Sequence, residues 1–162
     1  MSNSLLDETG STIYGEKFLL KEAKSLIEFA RGSEIINGGF GYLNSRGQVD
    51  SSQPRQAYVQ CRMIQVFGLT HLMGLQDSSR LIKHGVDALN DLFFDNKNSG
   101  FFNAIDTSGK PIGISKLGYD QIFVLLAAVT ATAAEVEGAP KLLQRAESAI
   151  SPATRNSLFI GR

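Results

Sequence analysis

Apolar side chains recur at helical spacing in five stretches of the chain, separated by segments rich in glycine and polar residues. This spacing predicts helices over 16–31, 54–73, 79–93, 119–137 and 140–150. The second and fourth stretches are apolar on nearly every side of the helix, whereas the third is apolar on one side only. We therefore expect helices two and four to form an inner layer, covered by helices one, three and five.

Two glycine-bearing segments, 38–50 and 99–112, precede the apolar helices and carry the turn residues typical of short β-hairpins. They follow one pattern, because Gly39 and Gly100 are 61 residues apart and the tyrosines after them keep the same spacing. Such a repeat indicates a helical unit that buries its apolar face against its neighbours. The sequence thus predicts an all-α fold, a partial α/α toroid with both β-hairpins at one end. Six units would need roughly 370 residues, so this chain holds about two and a half.

The composition argues against several classes of protein. The chain is 43% hydrophobic, with 16 basic and 16 acidic residues, so it has a globular composition without the basic excess typical of nucleic-acid or anionic-membrane binding. The most apolar stretch, 122–134, is too short to cross a bilayer, and the N-terminus lacks a signal-peptide pattern. Cys61 is the single cysteine and cannot form an internal disulfide. We expect a cytoplasmic protein that binds neither nucleic acid nor membranes.

The sequence predicts neither a metal nor a cofactor. Asp50, Asp106 and Asp120 do not form a ligand cluster, and Cys61 has no histidine at ligand spacing. The glycine-bearing segments do not follow a buried strand, as a dinucleotide-binding fingerprint requires, and are better explained as turns.

Five short motifs follow one another along the chain, namely GGFGYL, GQV, CRMIQVF, HGVDALN and GYDQIF. In this order they resemble the N-acylglucosamine 2-epimerase family, especially its mannose isomerase and sulfoquinovose isomerase branch. The resemblance implies that 1–150 is the N-terminal part of an (α/α)6 barrel, whereas the unmatched tail 151–162 indicates a truncation. It also implies an isomerase that converts aldoses and ketoses, or epimerises at C2, by moving a proton through an enediol.

The resemblance further implies a set of site residues. Arg62 corresponds to an active-site arginine on an inner helix, and Tyr119 to a tyrosine in the pocket. Tyr58 stands where the isomerase branch carries an aromatic residue, usually tryptophan, and Gln121 stands where histidine is common. We therefore expect Tyr58, Arg62, Tyr119 and Gln121 to bind the sugar and Arg62 to take part in catalysis. A guanidinium suits this role because its rigid fork of donors can hold sugar oxygens and steady the charge of an enediolate.

The two histidines that serve as acid and base in the family lie in later hairpins, beyond this chain. His71 and His84, the histidines present here, are predicted to be structural. This leaves a second hypothesis, in which the chain is a non-catalytic helical remnant or a partner-binding module. Arg62 would then simply pair with a carboxylate. A partial toroid also leaves apolar edges exposed, which predicts either a homo-oligomer or a complementing C-terminal half as partner.

Overall fold

The computed structural model describes residues 15–150. Five helices account for most of this range: α1 (Glu16–Arg31), α2 (Ala57–Leu72), α3 (Ser79–Ala88), α4 (Gly118–Ala133) and α5 (Ala139–Ile150). A π-helical turn, Leu89–Phe93, continues α3. Two short strands, β1 (Arg55–Gln56) and β2 (Ala104–Ile105), pair antiparallel. The mostly helical fold class predicted from the sequence is confirmed, whereas the tail after residue 150 lies outside the described residues.

Helices α2 and α4 form the centre of the structure and pack side by side. Helix α3 packs chiefly on α2, and α5 packs chiefly on α4. The contact between α2 and α4 is close: a Cβ added at Gly68 of α2 would lie 2.5 Å from Thr130 Cγ2 of α4. The predicted inner layer of two apolar helices is confirmed, and each outer helix that follows an inner helix covers it.

Both predicted β-hairpins are present, at the same end of the helices. Isolated bridges close them, Leu43 with Val49 in the first and Ile105 with Pro111 in the second. The two hairpins have the same internal turn, since an Asn44 oxygen and an Asp106 oxygen each accept two backbone N–H groups from the residues that follow. Gly47 and Gly109 adopt positive φ angles of 73° and 87°, which glycine tolerates without strain.

Each hairpin is fixed to its inner helix by one buried glutamine. Gln60 on α2 accepts a hydrogen bond from the Phe40 N–H at 2.6 Å and donates one to the Phe40 carbonyl at 2.8 Å. Gln121 on α4 forms the same two bonds with Phe101, at 2.9 Å and 2.8 Å. Buried backbone groups require such partners, so these glutamines stabilise the entry of each hairpin into the core.

The second hairpin also contacts the start of α2. β1 pairs with β2 in the register Arg55 to Ile105, and the Asn103 carbonyl accepts the Ala57 N–H at 2.9 Å. The buried guanidinium of Arg55 donates to backbone carbonyls of both hairpin regions, those of Gly38 and Asp106 among them. These bonds hold the two hairpins together at one end of the helices.

Two predicted boundaries were wrong. Pro54 precedes β1 and does not begin α2, because the residues after it extend to pair with β2 before the helix starts at Ala57. The fourth helix ends at Ala133, short of residue 137, because Glu135 has a φ of 55°. A left-handed residue at this point ends a helix, and the Val136 N–H then bonds back to the Ala131 carbonyl.

Candidate functional site

Four side chains converge where the first two turns of α2 and α4 lie next to each other. The Arg62 guanidinium donates a hydrogen bond to the Tyr119 hydroxyl at 3.3 Å. Its central carbon lies 5.5 Å from the ring centre of Tyr58 and 5.8 Å from that of Phe123. These distances are typical of a cation close to the faces of aromatic rings. We call Tyr58, Arg62, Tyr119 and Phe123 the Arg62 cluster.

The helices position the Arg62 cluster through their own periodicity. Tyr58 and Arg62 are four residues apart on α2, and Tyr119 and Phe123 are four residues apart on α4, so each pair lies on one helix face. The Tyr119 and Phe123 rings pack with their centres 4.5 Å apart. Sequence analysis missed Phe123, although the repeat offered a signal for it. Phe123 follows Arg62 by 61 residues, the same distance that separates Tyr58 from Tyr119.

Tyr42 of the first hairpin extends the cluster from the hairpin side. Its hydroxyl and that of Tyr58 are hydrogen-bonded to each other. Burial, together with this bond, raises the pKa of Tyr42 to about 12, so its phenol stays protonated at neutral pH. Tyr42 belongs to the GGFGYL motif but was not predicted as a site residue, because only the tertiary structure brings it to Tyr58.

Arg62 is exposed and has no carboxylate partner within residues 15–150. Its contacts there are with two aromatic rings and one phenol hydroxyl, all of them uncharged. Sequence analysis offered pairing with a carboxylate as the structural explanation of Arg62. No such pair is found in this part of the chain. An unpaired guanidinium with free donors is suited to binding oxygens of a ligand.

Gln121 lies apart from the other predicted site residues. It is buried, and both ends of its amide are bonded to the backbone of Phe101. These bonds leave the amide facing the hairpin instead of the Arg62 guanidinium. The structure thus brings together Tyr58, Arg62 and Tyr119, three of the four residues expected to bind the sugar, and gives Gln121 a role in the fold.

Neither histidine belongs to the Arg62 cluster. His84 on α3 bonds to the Gly39 carbonyl at 2.9 Å and packs edge-on against the Phe40 ring. His71, in the last turn of α2, lies 3.4 Å from an Asp77 oxygen. Within the described residues, no group of His, Cys, Asp and Glu side chains could hold a metal ion.

Asp120 is buried beside the Arg62 cluster and has no hydrogen-bond or ion-pair partner among residues 15–150. Burial raises the pKa of its carboxyl group to about 6. Perturbed carboxyl groups are common at functional sites, but this one is only 3% exposed and lies close to the buried Cys61. We therefore interpret it as a source of pH-dependent stability.

We expect Asp120→Asn to stabilise the protein at neutral pH. Because the pKa of Asp120 is raised in the folded state, the protonated carboxyl group favours folding. Its contribution to the free energy of unfolding is fully present below about pH 4 and is lost as the pH rises through about 6. The substitution should raise the free energy of unfolding at pH 7 by on the order of 2 kcal/mol, with little change near pH 4. Urea unfolding followed by circular dichroism at both pH values measures this difference.

Asp50→Asn is the control with the opposite sign. Hydrogen bonds from Ser52 lower the pKa of Asp50, so removing its charge should reduce stability at neutral pH and have no effect in acid. A loss of stability at pH 7 in Asp120→Asn would show that its carboxylate has a favourable partner.

The inner helices are covered by outer helices, the hairpins lie at one end, and an arginine lies between aromatic rings. This arrangement places the protein in the class of α/α toroids, of which it forms a part, with a candidate site for a polar ligand. The family model for N-acylglucosamine 2-epimerase matches residues 38–159, which is most of the chain, and the chain belongs to that family. The match runs past the boundary predicted at residue 150. The resemblance seen in the sequence is thereby confirmed.

Curated relatives and solved structures agree with this assignment. The chain is 36% identical over 129 residues to a D-mannose isomerase of Thermobifida fusca, covering 80% of this chain and 32% of that protein. It is 32% identical over 128 residues to a D-mannose isomerase of Pseudomonas cannabina pv. alisalensis, covering 78% of this chain and 30% of that protein. The chain therefore spans about a third of the length of the curated relatives it matches.

Two solved structures show the same fold. A D-mannose isomerase structure superposes with a TM-score of 0.73 at 19% identity, over 83% of this chain and 34% of its own. The cellobiose 2-epimerase of Spirochaeta thermophila superposes with a TM-score of 0.70 at 18% identity, over 83% of this chain and 35% of its own. At these identities the likeness establishes the fold, that of part of an (α/α)6 barrel.

Proposed function

We propose that this chain supplies the Arg62 cluster to the sugar site of an isomerase or epimerase of the N-acylglucosamine 2-epimerase family. The reaction would be an aldose–ketose isomerisation or a C2 epimerisation of a small sugar. The single observation that carries the proposal is the unpaired Arg62 guanidinium, held between aromatic side chains of two adjacent inner helices. Family membership and the D-mannose isomerase relatives support the reaction class.

The geometry suggests what each residue would do. A base removes the proton on C2 of the opened sugar to give an enediol, and the proton returns to C1 in isomerisation or to the other face of C2 in epimerisation. Arg62 would hold sugar oxygens and stabilise the negative charge that develops on them. Tyr119 would orient the guanidinium through its hydroxyl, while Tyr58 offers a ring face for the sugar.

In this proposal the acid and base of the reaction come from outside the described residues. His71 and His84 are engaged elsewhere, and Asp120 is only 3% exposed. We therefore propose that the site is completed by hairpins of the kind that the longer relatives contain. In this arrangement Gln121 positions the second hairpin beside the site.

Deuterium exchange tests the proposal. In a hybrid protein, this chain replaces the matching third of the Thermobifida fusca D-mannose isomerase, so that the relative supplies the remaining helices. In D2O the hybrid should introduce solvent deuterium into at least one sugar among mannose, fructose, glucose, sulfoquinovose and N-acylmannosamine. Proton magnetic resonance of the recovered sugar detects the exchange at the carbon that gains the proton.

A folded hybrid that exchanges none of these sugars would contradict the proposed function. The 162-residue chain by itself is the second sample. We expect no exchange from it, because the Arg62 cluster contains no group that could act as the base at neutral pH. Exchange by the chain alone would show that it contains a base that the structure has not revealed.

The alternative is a non-catalytic helical module that binds a partner. The observation that favours it is an open groove of about 780 Å³ between α1 and α2, lined almost entirely by apolar side chains such as Leu26, Val66 and Leu69. The same experiment distinguishes the two functions. If the chain is only a binding module, the hybrid should fold but introduce no deuterium into the sugar.

A further inference from the structure

The Tyr42 hydroxyl contacts the Arg62 cluster through Tyr58. Tyr42 is half-buried in the first hairpin, and its hydroxyl is hydrogen-bonded to that of Tyr58 on α2. The backbone of the hairpin is held at this point, because the Tyr42 carbonyl accepts the Asp50 N–H at 2.8 Å. Tyr42 is therefore a fixed partner for a tyrosine of the candidate site.

The join between the first hairpin and α2 brings these two hydroxyls together. Gln60 binds the Phe40 backbone with both ends of its amide, at 2.6 Å and 2.8 Å. Tyr42 comes two residues after Phe40 in the hairpin, and Tyr58 comes two residues before Gln60 in the helix. The buried amide thus fixes the two segments that carry the phenols, so their hydrogen bond joins two held parts of the chain.

The second unit of the repeat orients its tyrosine differently. Sixty-one residues after Tyr42 and Tyr58 stand Asn103 and Tyr119. The Tyr119 hydroxyl accepts a hydrogen bond from Arg62 at 3.3 Å, whereas the Tyr58 hydroxyl is bonded to Tyr42. The two tyrosines of the Arg62 cluster are therefore equivalent in position, but a cation holds one hydroxyl and a phenol holds the other.

The pair of phenols leaves one hydrogen-bond donor free. Two hydroxyls that share one bond use one O–H group and one oxygen lone pair, so the second O–H stays available. The raised pKa of Tyr42, about 12, means that this phenol keeps its proton at neutral pH and can donate it. When Tyr42 donates, the free O–H is that of Tyr58, whose ring centre lies 5.5 Å from the central carbon of the Arg62 guanidinium.

We propose that Tyr42 is a positioning residue for substrate recognition. It donates to the Tyr58 hydroxyl and thereby directs the Tyr58 O–H to a sugar hydroxyl oxygen next to the oxygens that Arg62 holds. This inference rests on the proposed function. The free groups of the Arg62 cluster, guanidinium N–H and phenol O–H, are donors, and sugar hydroxyl oxygens are suitable acceptors for them.

The recognised hydroxyl is outside the pair of carbons between which the proton moves. Its hydrogen bond is therefore the same before and during the reaction, and such a bond affects KM more than kcat. Tyr42 should consequently determine how well the site distinguishes a sugar with this hydroxyl from one without it. A residue that only supported the hairpin would affect all sugars alike.

Selectivity between a sugar and its deoxy forms tests the proposal. The protein is the hybrid in which the Thermobifida fusca D-mannose isomerase supplies the remaining helices. The substrates are the sugar that this hybrid exchanges and the forms of that sugar that lack one hydroxyl at a time, at each carbon beyond C2. The readout is the ratio of kcat/KM for the full sugar to kcat/KM for each deoxy form.

Tyr58→Phe should lower this ratio by about three- to tenfold for one deoxy form, which is the value of one neutral hydrogen bond, and leave the other ratios unchanged. Tyr42→Phe should lower the same ratio by a smaller factor, because the Tyr58 O–H remains but is no longer oriented. The double variant should match Tyr58→Phe. In both single variants KM for the full sugar should rise, while kcat stays within about twofold of the wild type.

Arg46→Ala is the matched control in the first hairpin. Arg46 is exposed and lies outside the Arg62 cluster, so this variant should leave every ratio unchanged. A second measurement needs no sugar: urea unfolding of the 162-residue chain with Tyr42→Phe, with Tyr58→Phe and with both. Because the phenols bond to each other, the two changes should be coupled by about twofold or more in the unfolding equilibrium constant.

Three results would overturn the inference. The first is that both single variants leave every ratio unchanged while Arg62→Ala still reduces exchange, in which case the proposed function stands without a role for Tyr42. The second is a larger loss of selectivity in Tyr42→Phe than in Tyr58→Phe, which would make Tyr42 the donor to the sugar. The third is unfolding without coupling between the two changes. A folded hybrid without exchange contradicts the proposed function itself, and this inference with it.

Discussion

Gln121→Ala is expected to lower the free energy of unfolding by about 3 kcal/mol, because it leaves two buried backbone groups without partners. The Phe101 N–H and carbonyl are bonded only to the Gln121 amide in the described structure, and Phe101 itself is fully buried. An unsatisfied buried group costs roughly 1 to 3 kcal/mol, and the truncation also removes packing. Urea unfolding followed by circular dichroism measures the change.

Two further variants make this prediction specific. Gln60→Ala removes the equivalent bonds to Phe40 and should cost about as much, whereas Gln144→Ala, at an exposed position of α5, should stay within about 0.5 kcal/mol of the wild type. If Gln121→Ala were as stable as Gln144→Ala, the second hairpin would not depend on this amide.

Arg62→Ala should have the second large effect, on catalysis. In the hybrid with the Thermobifida fusca relative, we expect kcat/KM to fall by about 100-fold or more, because a charged donor that stabilises developing charge is lost. Folding should change little, since the Arg62 side chain is exposed and contributes one hydrogen bond and ring contacts. Steady-state kinetics and thermal unfolding of the same samples separate the two effects.

Arg62→Lys should recover only part of the lost activity, because an ammonium group keeps the charge but not the planar fork of donors. Arg46→Ala, which removes an exposed arginine from the first hairpin, is the control and should leave the kinetics unchanged. Equal activity of the wild type and Arg62→Ala would remove Arg62 from the site.

Local sequence signals were sufficient to predict much of the fold. Helix α1 begins and ends where its apolar spacing and Gly32 indicate. The 61-residue repeat correctly placed both hairpins at one end and brought Tyr58 and Tyr119 to equivalent helix starts. These features were accessible because helical periodicity and turn chemistry are properties of short segments.

Other features depend on contacts between segments that are distant in sequence. The extended residues before α2 are set by pairing with β2, and the end of α4 is set by the backbone conformation of Glu135. Gln121 resembled a site residue from its position in the motif, but its amide bonds to Phe101, twenty residues earlier. The identical residue at Gln60 was the signal that could have revealed this role.

The sequence by itself determined the helical unit, its period, the apolar character of α2 and α4, and the family. These properties follow from the order of residue types within each unit. Only the tertiary structure decided that the Arg62 guanidinium lies between Tyr58 and Phe123 without a carboxylate, and that the apolar side of α1 is open while those of α3 and α5 are covered. The physical reason is that a pattern shows which side chains need burial, whereas the packing of one helix on another decides which of them obtain it.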